Sequence, residues 1–285
     1  MRPSLPAGTF LAQRDARSQA WCKQLMWSES KSSYYASRFL PSAKRRALEA
    51  LYAVFRTADD LADEPGLELS ERRQGLALVA RDLENAADLS DESSAPWFPA
   101  VRAAFAAYPI ARSDALGVVA ACLRELDGVH PSTISDLERH AASLTGGVAR
   151  CGLAVLGADD PRSLALAERI GIAMQFTNIL RDEKRDLEQG RDYLTFAGSD
   201  EGNRFAAKEE IAARARAHYR AGEALVASLP RDGSNVAVML AIDLYRALLS
   251  KLERKRFASL GERARLGRVE VIWWAVRSNV AAFMR

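Results

Sequence analysis

Apolar residues recur along this chain every three to four positions, and no stretch sustains the every-second alternation of a strand. Residues that cap helices, or a proline at the first turn, precede several of these stretches. The pattern predicts four long helices that follow the segments 40–42, 132–135, 160–161 and 232–234 and run to about 63, 156, 188 and 257. Shorter helices are predicted at 70–87, 99–107, 114–127, 208–227 and 269–283.

The spacing of these helices indicates one all-α unit. All ten prolines lie near the edges of periodic stretches, and the Ser-, Asp- and Pro-rich segment 88–99 is predicted to be a loop between helices. Neither a linker nor an internal repeat interrupts the pattern. We therefore expect a single domain over residues 1–285, with helices packed around a common interior.

The predicted helix over 47–64 ends in an acidic cluster. Tyr52, Arg56, Asp59 and Asp63 fall at i, i+4, i+7 and i+11, so they share one stripe. Like charges four residues apart destabilise a helix by roughly 0.2–0.5 kcal/mol, and the macrodipole disfavours negative charge at this end. A divalent cation with oxygen ligands would compensate both effects. The alternative is a solvated acidic helix end capped by neighbouring arginines.

A second stripe of the same character lies on the predicted helix over 170–186. Its polar residues Gln175, Asn178, Asp182 and Asp186 fall at i, i+3, i+7 and i+11 among apolar neighbours. The solvent face of an amphipathic helix would also be polar. Here, however, amides precede carboxylates, as expected for a cavity that is apolar at depth and anionic at its mouth. Two such helices supply enough carboxylates for Mg²⁺ ions that hold a diphosphate.

Composition and charge exclude several other classes of protein. With 48% apolar and 27% charged residues the chain has an ordinary globular composition, and its net charge of +3 gives no support to a nucleic-acid partner. Three cysteines without CxxC spacing and three histidines without HExxH argue against a disulfide framework or a zinc site. Without a signal peptide or an apolar run of ~18 residues, we expect a cytoplasmic protein.

Four blocks between about residues 28 and 270 carry a more specific pattern. They are KSSYYASRFLP from Lys31, ALYAVFR followed by DDLAD up to Asp63, QFTNILRD from Gln175 followed by GRDYL, and LYR at 244–246 followed by Arg263, Arg265 and Arg268. At these residues the sequence resembles the squalene/phytoene synthase family, the head-to-head prenyl synthases. The resemblance implies a class I isoprenoid synthase-like helical bundle around a central cavity, and a prenyltransferase of carotenoid or hopanoid biosynthesis.

The resemblance also implies roles for individual residues. Mg²⁺, with Mn²⁺ as an alternative, would be bound by Asp59, Asp63, Asn178, Asp182 and Asp186. Prenyl diphosphate would be bound by Lys31, Ser32, Arg56, Gln175, Asn178, Arg191 and Arg263. The catalytic side chains would be Tyr52, Arg56, Tyr193 and Tyr245. Ionisation of an allylic diphosphate requires the charge of the leaving group to be neutralised, and the carbocation requires a dry cavity in which aromatic faces can stabilise it.

Some positions depart from the family pattern. His140 stands where the family usually has a cavity tyrosine, Arg185 where an acidic residue is common, and Thr195 where a proline is usual. Gly146 and Gly147 would either admit substrate close to the backbone or allow close helix packing. These departures concern the product more than the fold.

The implied reaction is condensation of two farnesyl or geranylgeranyl diphosphates through a cyclopropylcarbinyl diphosphate. The sequence leaves open whether a squalene, hydroxysqualene, dehydrosqualene or phytoene type of product, or the cyclopropyl intermediate itself, is released. Another class I terpene synthase and a non-catalytic assembly protein are the competing functions.

Three further points stay open at this stage. The family's reductive members use NADPH, but no GxGxxG follows a strand here. A C-terminal helix with Trp273 and Trp274 would either contact a membrane surface peripherally or pack into the core. The sequence does not specify the oligomeric state.

Overall fold

The computed structural model describes residues 7–89, 93–128 and 130–257, and single C-terminal positions at 267, 270, 273, 274, 277 and 278, with side chains from residue 13 onward. These ranges contain helices and connecting turns but no strand. The helices are α1 (Ala7–Glu29), α2 (Lys31–Ser37), α3 (Ser42–Asp63), α4 (Leu69–Ala87), α5 (Phe98–Ala107), α6 (Arg112–Glu125), α7 (Ile134–Leu156), α8 (Pro161–Glu188), α9 (Glu201–Gly222), α10 (Leu225–Ser228) and α11 (Ser234–Arg254), with a 3₁₀ turn at Thr195–Ala197.

The all-α prediction is confirmed, and α7 and α8 begin where their capping residues predict. Asp160 caps α8 by accepting hydrogen bonds from the backbone N–H groups of Arg162 and Ser163. Thr133 caps α7 in the same way through the N–H of Asp136. These caps satisfy donors that the first turn of a helix leaves without a partner.

Other helix bounds were predicted wrongly. The helix predicted at 208–227 is two helices, because Asp200 caps α9 early and α9 ends at Gly222. The helix predicted to reach residue 257 ends at Arg254, since Arg256 and Phe257 adopt left-handed conformations with φ of 51° and 54°. α1 was missed because its apolar residues do not fall on one face. The helix predicted at 269–283 lies outside the described residues except for five single positions.

The helices α3 and α8 occupy the interior of the fold. α8 packs against α7, α9 and α11, while α3 packs against α1, α4, α5, α6 and α7. Phe176 of α8 and Val54 of α3 have no solvent-accessible surface. Burial of such side chains stabilises the fold by about 1.5–3 kcal/mol each. Within the described ranges no helix is both long enough and apolar enough to cross a bilayer.

Gly147 allows α6 and α7 to pack closely. A Cβ atom at this position would lie 2.6 Å from the carbonyl oxygen of Asp114 and 2.9 Å from the side chain of Val118. A Cβ at Gly146 would meet the side chain of Arg150 at 3.2 Å. Gly147 therefore serves close helix packing rather than the approach of substrate to the backbone.

Gly147→Ala is expected to destabilise the protein by about 1–3 kcal/mol, because α6 and α7 must move apart to accept the methyl group. Urea unfolding followed by circular dichroism measures this loss. Gly117→Ala on α6 is the matched control, since a Cβ there meets nothing within 4 Å. Equal unfolding midpoints for the two variants would contradict the packing role of Gly147.

Candidate active site

A cavity of about 660 Å³ runs between α2, α3, α6, α7, α8 and α11. The Lys44 ammonium donates to the carbonyl oxygen of Leu156 at 2.7 Å and to the Ser234 hydroxyl at 3.2 Å, so the starts of α3 and α11 and the end of α7 meet at one end of the cavity. The lining at this end is apolar and consists of Leu40, Leu48, Gly152, Leu156, Ala237, Val238 and Ala241. The acidic ends of α3 and α8 lie toward the opposite end.

The two acidic stripes face this same cavity. All of the described residues to which the resemblance gives a metal-binding, substrate-binding or catalytic role line it, namely Lys31, Ser32, Tyr52, Arg56, Asp59, Asp63, Gln175, Asn178, Asp182, Asp186, Arg191, Tyr193 and Tyr245. His140, which stands at the position of a family cavity tyrosine, does not line it. Arg263 lies outside the described residues. The second stripe therefore lines a cavity rather than forming an outer solvent face, while the individual roles of these residues remain predictions.

Arginines neutralise the carboxylates of the first motif. Arg56 lies 3.3 Å from a carboxylate oxygen of Asp59 and forms an ion pair with Asp60. Arg191, which follows α8, forms an ion pair with Asp63 and lies 3.2 Å from Asp186. Arg191 thus joins the acidic end of α3 to that of α8.

The carboxylates of the second motif are more deeply buried. The Asp182 and Asp186 side chains are 6% and 8% accessible. Arg181 donates to both oxygens of Asp182, at 2.9 Å and 2.5 Å. Arg185 also lines the cavity, lies 3.6 Å from each aspartate and is 44% accessible, so it lies at the exposed edge of the site.

The arginines compensate this negative charge incompletely. The Asp59 side chain lines the cavity and is 48% accessible. Burial and the charge of Asp63 raise the pKa of Asp59 to about 7. Burial also raises the pKa of Asp63 and of Asp186, against the opposing effect of Arg191. A further cation at this end would stabilise the ionised carboxylates.

Asp59→Asn is expected to raise the melting temperature of the metal-free protein at pH 8, and the gain should shrink toward pH 5. The unfolded-state pKa of Asp59 is near 3.8 and the folded-state value is about 7. The folded state therefore favours the protonated carboxyl, and this contribution to stability is lost as the pH rises through about 7. Thermal unfolding in EDTA across this pH range measures the effect.

Asp60→Asn is the matched control for this prediction, because Asp60 also pairs with Arg56. The control measures what the loss of a carboxylate partner of Arg56 does to the melting temperature. A gain for Asp59→Asn that is equally large at pH 5 would contradict the raised pKa of Asp59.

The donor set of the site fits a hard divalent cation chemically. Within the described part of the chain no three His, Cys, Asp or Glu side chains are already placed around one metal position, because the aspartates face arginines. The buried Oδ1 oxygen of Asn178, however, has no hydrogen-bond partner there. Asn178 precedes Asp182 by one helical turn. An amide oxygen without a donor beside carboxylates is a ligand set that Mg²⁺ accepts.

Glu125 and His140 belong to the site although no motif identified them as a pair. One Glu125 carboxylate oxygen accepts a hydrogen bond from the Tyr193 hydroxyl at 3.2 Å, and the His140 Nε2 atom lies 3.2 Å from the same oxygen. Glu125 lines the cavity, and His140 contacts it from behind. The sequence had singled out His140 as a departure from the family pattern, whereas the signal for Glu125 was a lone glutamate at the end of α6.

Cys122 contributes a thiol to the cavity wall. Its side chain is buried on α6, one turn before Glu125. Burial, and secondarily the negative charge of Asp59, raises the pKa of this thiol to about 12. The thiol is therefore protonated at physiological pH.

Comparison with known proteins gives consistent results across nearly the whole chain. A family model described as squalene/phytoene synthase matches residues 28–270. A presqualene diphosphate synthase from Zymomonas mobilis is 29% identical over 275 residues, which cover 90% of this chain and 91% of the relative. A phytoene synthase from Rhodobacter capsulatus is 26% identical over 279 residues, which cover 92% and 80%.

Solved structures show the same fold. A dehydrosqualene synthase in complex with a ligand aligns with a TM-score of 0.85 at 23% identity, covering 96% of this chain and 100% of that one. The squalene synthase HpnC from Alicyclobacillus acidocaldarius aligns with a TM-score of 0.72 at 22% identity, covering 85% and 95%.

Proposed function

Because the chain belongs to the squalene/phytoene synthase family and is a prenyltransferase, we propose that it joins two farnesyl diphosphates head to head in an Mg²⁺-dependent reaction. The observation that carries the proposal is the convergence of the α3 and α8 acidic stripes at one end of an apolar cavity. The full set of aspartates in that cavity argues against a non-catalytic assembly role.

Presqualene diphosphate, the cyclopropylcarbinyl diphosphate formed from two farnesyl groups, is the product that we propose. The similarity to the Zymomonas mobilis presqualene diphosphate synthase over 90% of the chain supports it. Condensation to this product releases one diphosphate and one proton and consumes no reductant, so NADPH is not required. Condensation of two geranylgeranyl diphosphates is the second candidate, supported by the similarity to phytoene synthases.

The polar end of the cavity would hold the diphosphates. Mg²⁺ held by Asp59, Asp63, Asn178, Asp182 and Asp186 supplies positive charge to the leaving diphosphate when it is bound. The cationic side chains that would donate to diphosphate oxygens are Lys31, Arg56 and Arg191, and Ser32 and Gln175 add neutral hydrogen-bonding groups. These groups stabilise the departing charge without having to reorganise during the reaction.

The walls of the cavity would protect the carbocation. Leu51, Phe55, Ile179 and Leu244 line the apolar part and exclude water. Burial raises the pKa of the Tyr52 and Tyr193 hydroxyls above the ordinary value. Both phenols therefore remain neutral and present their ring faces and hydroxyl dipoles to positive charge, rather than a nucleophilic phenolate.

Peripheral contact with a lipid surface remains a prediction for the C-terminal segment. Trp274 packs against the cluster of Leu240 and Leu244, whereas Trp273 is 55% exposed beside Arg277. An exposed tryptophan next to an arginine suits an anionic membrane surface. Co-sedimentation with anionic vesicles should decrease for Trp273→Ala, and unchanged sedimentation would contradict the contact.

Incubation with isotopically labelled farnesyl or geranylgeranyl diphosphate and Mg²⁺, without NADPH, tests the proposed function. Mass spectrometry should detect a C₃₀ cyclopropylcarbinyl diphosphate and inorganic diphosphate from the farnesyl substrate. A C₄₀ product formed from geranylgeranyl diphosphate alone would favour the second candidate. If neither substrate is consumed, the proposed function is wrong.

A further inference from the structure

Gly152 of α7 faces the cavity and has open space where a side chain would be. A Cβ atom at this position would meet no heavy atom within 4 Å. At Gly147 and Gly171 a Cβ would instead lie within 2.6 Å of a neighbouring helix. Close packing therefore explains those two glycines and does not explain Gly152.

Glycine at this position lowers the stability of the fold. Gly152 lies inside α7, one turn before the helix ends at Leu156, and its φ is not positive. Glycine inside a helix is less favourable than alanine because it loses more backbone entropy on folding. Alanine would fit here without a clash, so the packing of the chain does not require glycine at this position.

Gly152 lies toward the apolar end of the cavity. The contact between Lys44 and Leu156 places the end of α7 beside the start of α3. At 1.5 Å per residue, Asp59 lies about 22 Å along α3 from Lys44. Gly152 lies only about 6 Å along α7 from Leu156, which contacts Lys44. The position is therefore far from the carboxylates, and small residues of α11, Ala237 and Ala241, also line this end.

We propose that Gly152 determines how long a prenyl chain the cavity accepts, because its missing side chain leaves room for the terminal isoprene unit. The proposal rests on the proposed function, which places the diphosphate at the carboxylate end. A prenyl chain extending from that end along α7 reaches Gly152 only with its distal part. Side chains introduced at Gly152 should then discriminate between ligands by length.

Binding of unreactive thio-diphosphate analogues of geranyl, farnesyl and geranylgeranyl diphosphate tests this proposal. Affinities are measured by titration calorimetry in the presence of Mg²⁺. Gly152→Leu should weaken binding of the longest analogue that the wild-type protein binds by at least about tenfold. It should weaken binding of the geranyl analogue by less than about twofold. The matched control is Gly117→Leu, which makes the same substitution at an equally open glycine that does not line the cavity. This control should leave all three affinities unchanged.

Gly152→Ala keeps the test valid if the leucine variant does not fold. It should raise the melting temperature, as Gly117→Ala should, and weaken binding of only the longest analogue, by about threefold or more. Equal weakening of all analogues, or of none, would overturn the proposal. If the wild-type protein binds none of the analogues, the proposed function is wrong instead.

Discussion

Substitution of Asp182 by asparagine is expected to lower kcat at least about 100-fold, which corresponds to about 2.7 kcal/mol of lost transition-state stabilisation. Asparagine preserves the shape of the side chain but removes the charge that would hold Mg²⁺ on the leaving diphosphate. Arg181 loses its charged partner and keeps a neutral acceptor. Activity is therefore compared per folded protein, with folding checked by circular dichroism.

Arg185→Ala is the matched comparison on the same helix. Arg185 is 44% accessible and lies 3.6 Å from both Asp182 and Asp186. Its loss should mainly raise KM and leave kcat within about tenfold, because its long side chain reaches the site only from the edge. The reverse pattern, with near-normal kcat in Asp182→Asn and none in Arg185→Ala, would show that the metal is not bound on α8.

Removal of divalent cations with EDTA is expected to abolish turnover, and excess Mg²⁺ or Mn²⁺ should restore it. The carboxylates and the unpartnered Asn178 oxygen are hard oxygen ligands, and either ion accepts such ligands. The thermal stability of the protein gives a second measurement that does not depend on turnover. Mg²⁺ with inorganic diphosphate at about 100 times the dissociation constant should stabilise the fold by about 2.7 kcal/mol.

The same titration applied to Asp182→Asn provides the control, because that variant should show a much smaller thermal shift. Full turnover in EDTA would contradict metal dependence. A thermal shift that diphosphate produces alone, without Mg²⁺, would indicate that the arginines suffice to bind it.

The sequence predicted those parts of the fold that depend on local periodicity. α3 was predictable because its apolar residues repeat at helical spacing. α8 was predictable from its capping segment and from the polar stripe that stays in register with its aspartates. The cavity between them followed from the same stripes. α1 was not predictable, since its stability comes from packing against α3 and α5 rather than from an amphipathic pattern.

The remaining features of the site depend on contacts between residues that are distant in sequence. Arg191 and Asp63 are 128 residues apart, and Tyr193 and Glu125 are 68 residues apart. Neither pairing leaves a local signal. The glycines show the same limit, because the sequence identified Gly146 and Gly147 without indicating that Gly152 is the glycine with open space in the cavity.

Cys122 places a sulfur atom in the cavity wall, one helical turn before Glu125. Burial is the larger cause of the raised pKa of its thiol, so the thiol stays protonated whether or not the charge of Asp59 is neutralised. Because the thiolate and not the thiol is the metal ligand, the wall offers no soft ligand to compete with the oxygen ligands for a cation. Cys122 thus contributes a small apolar surface to the cavity.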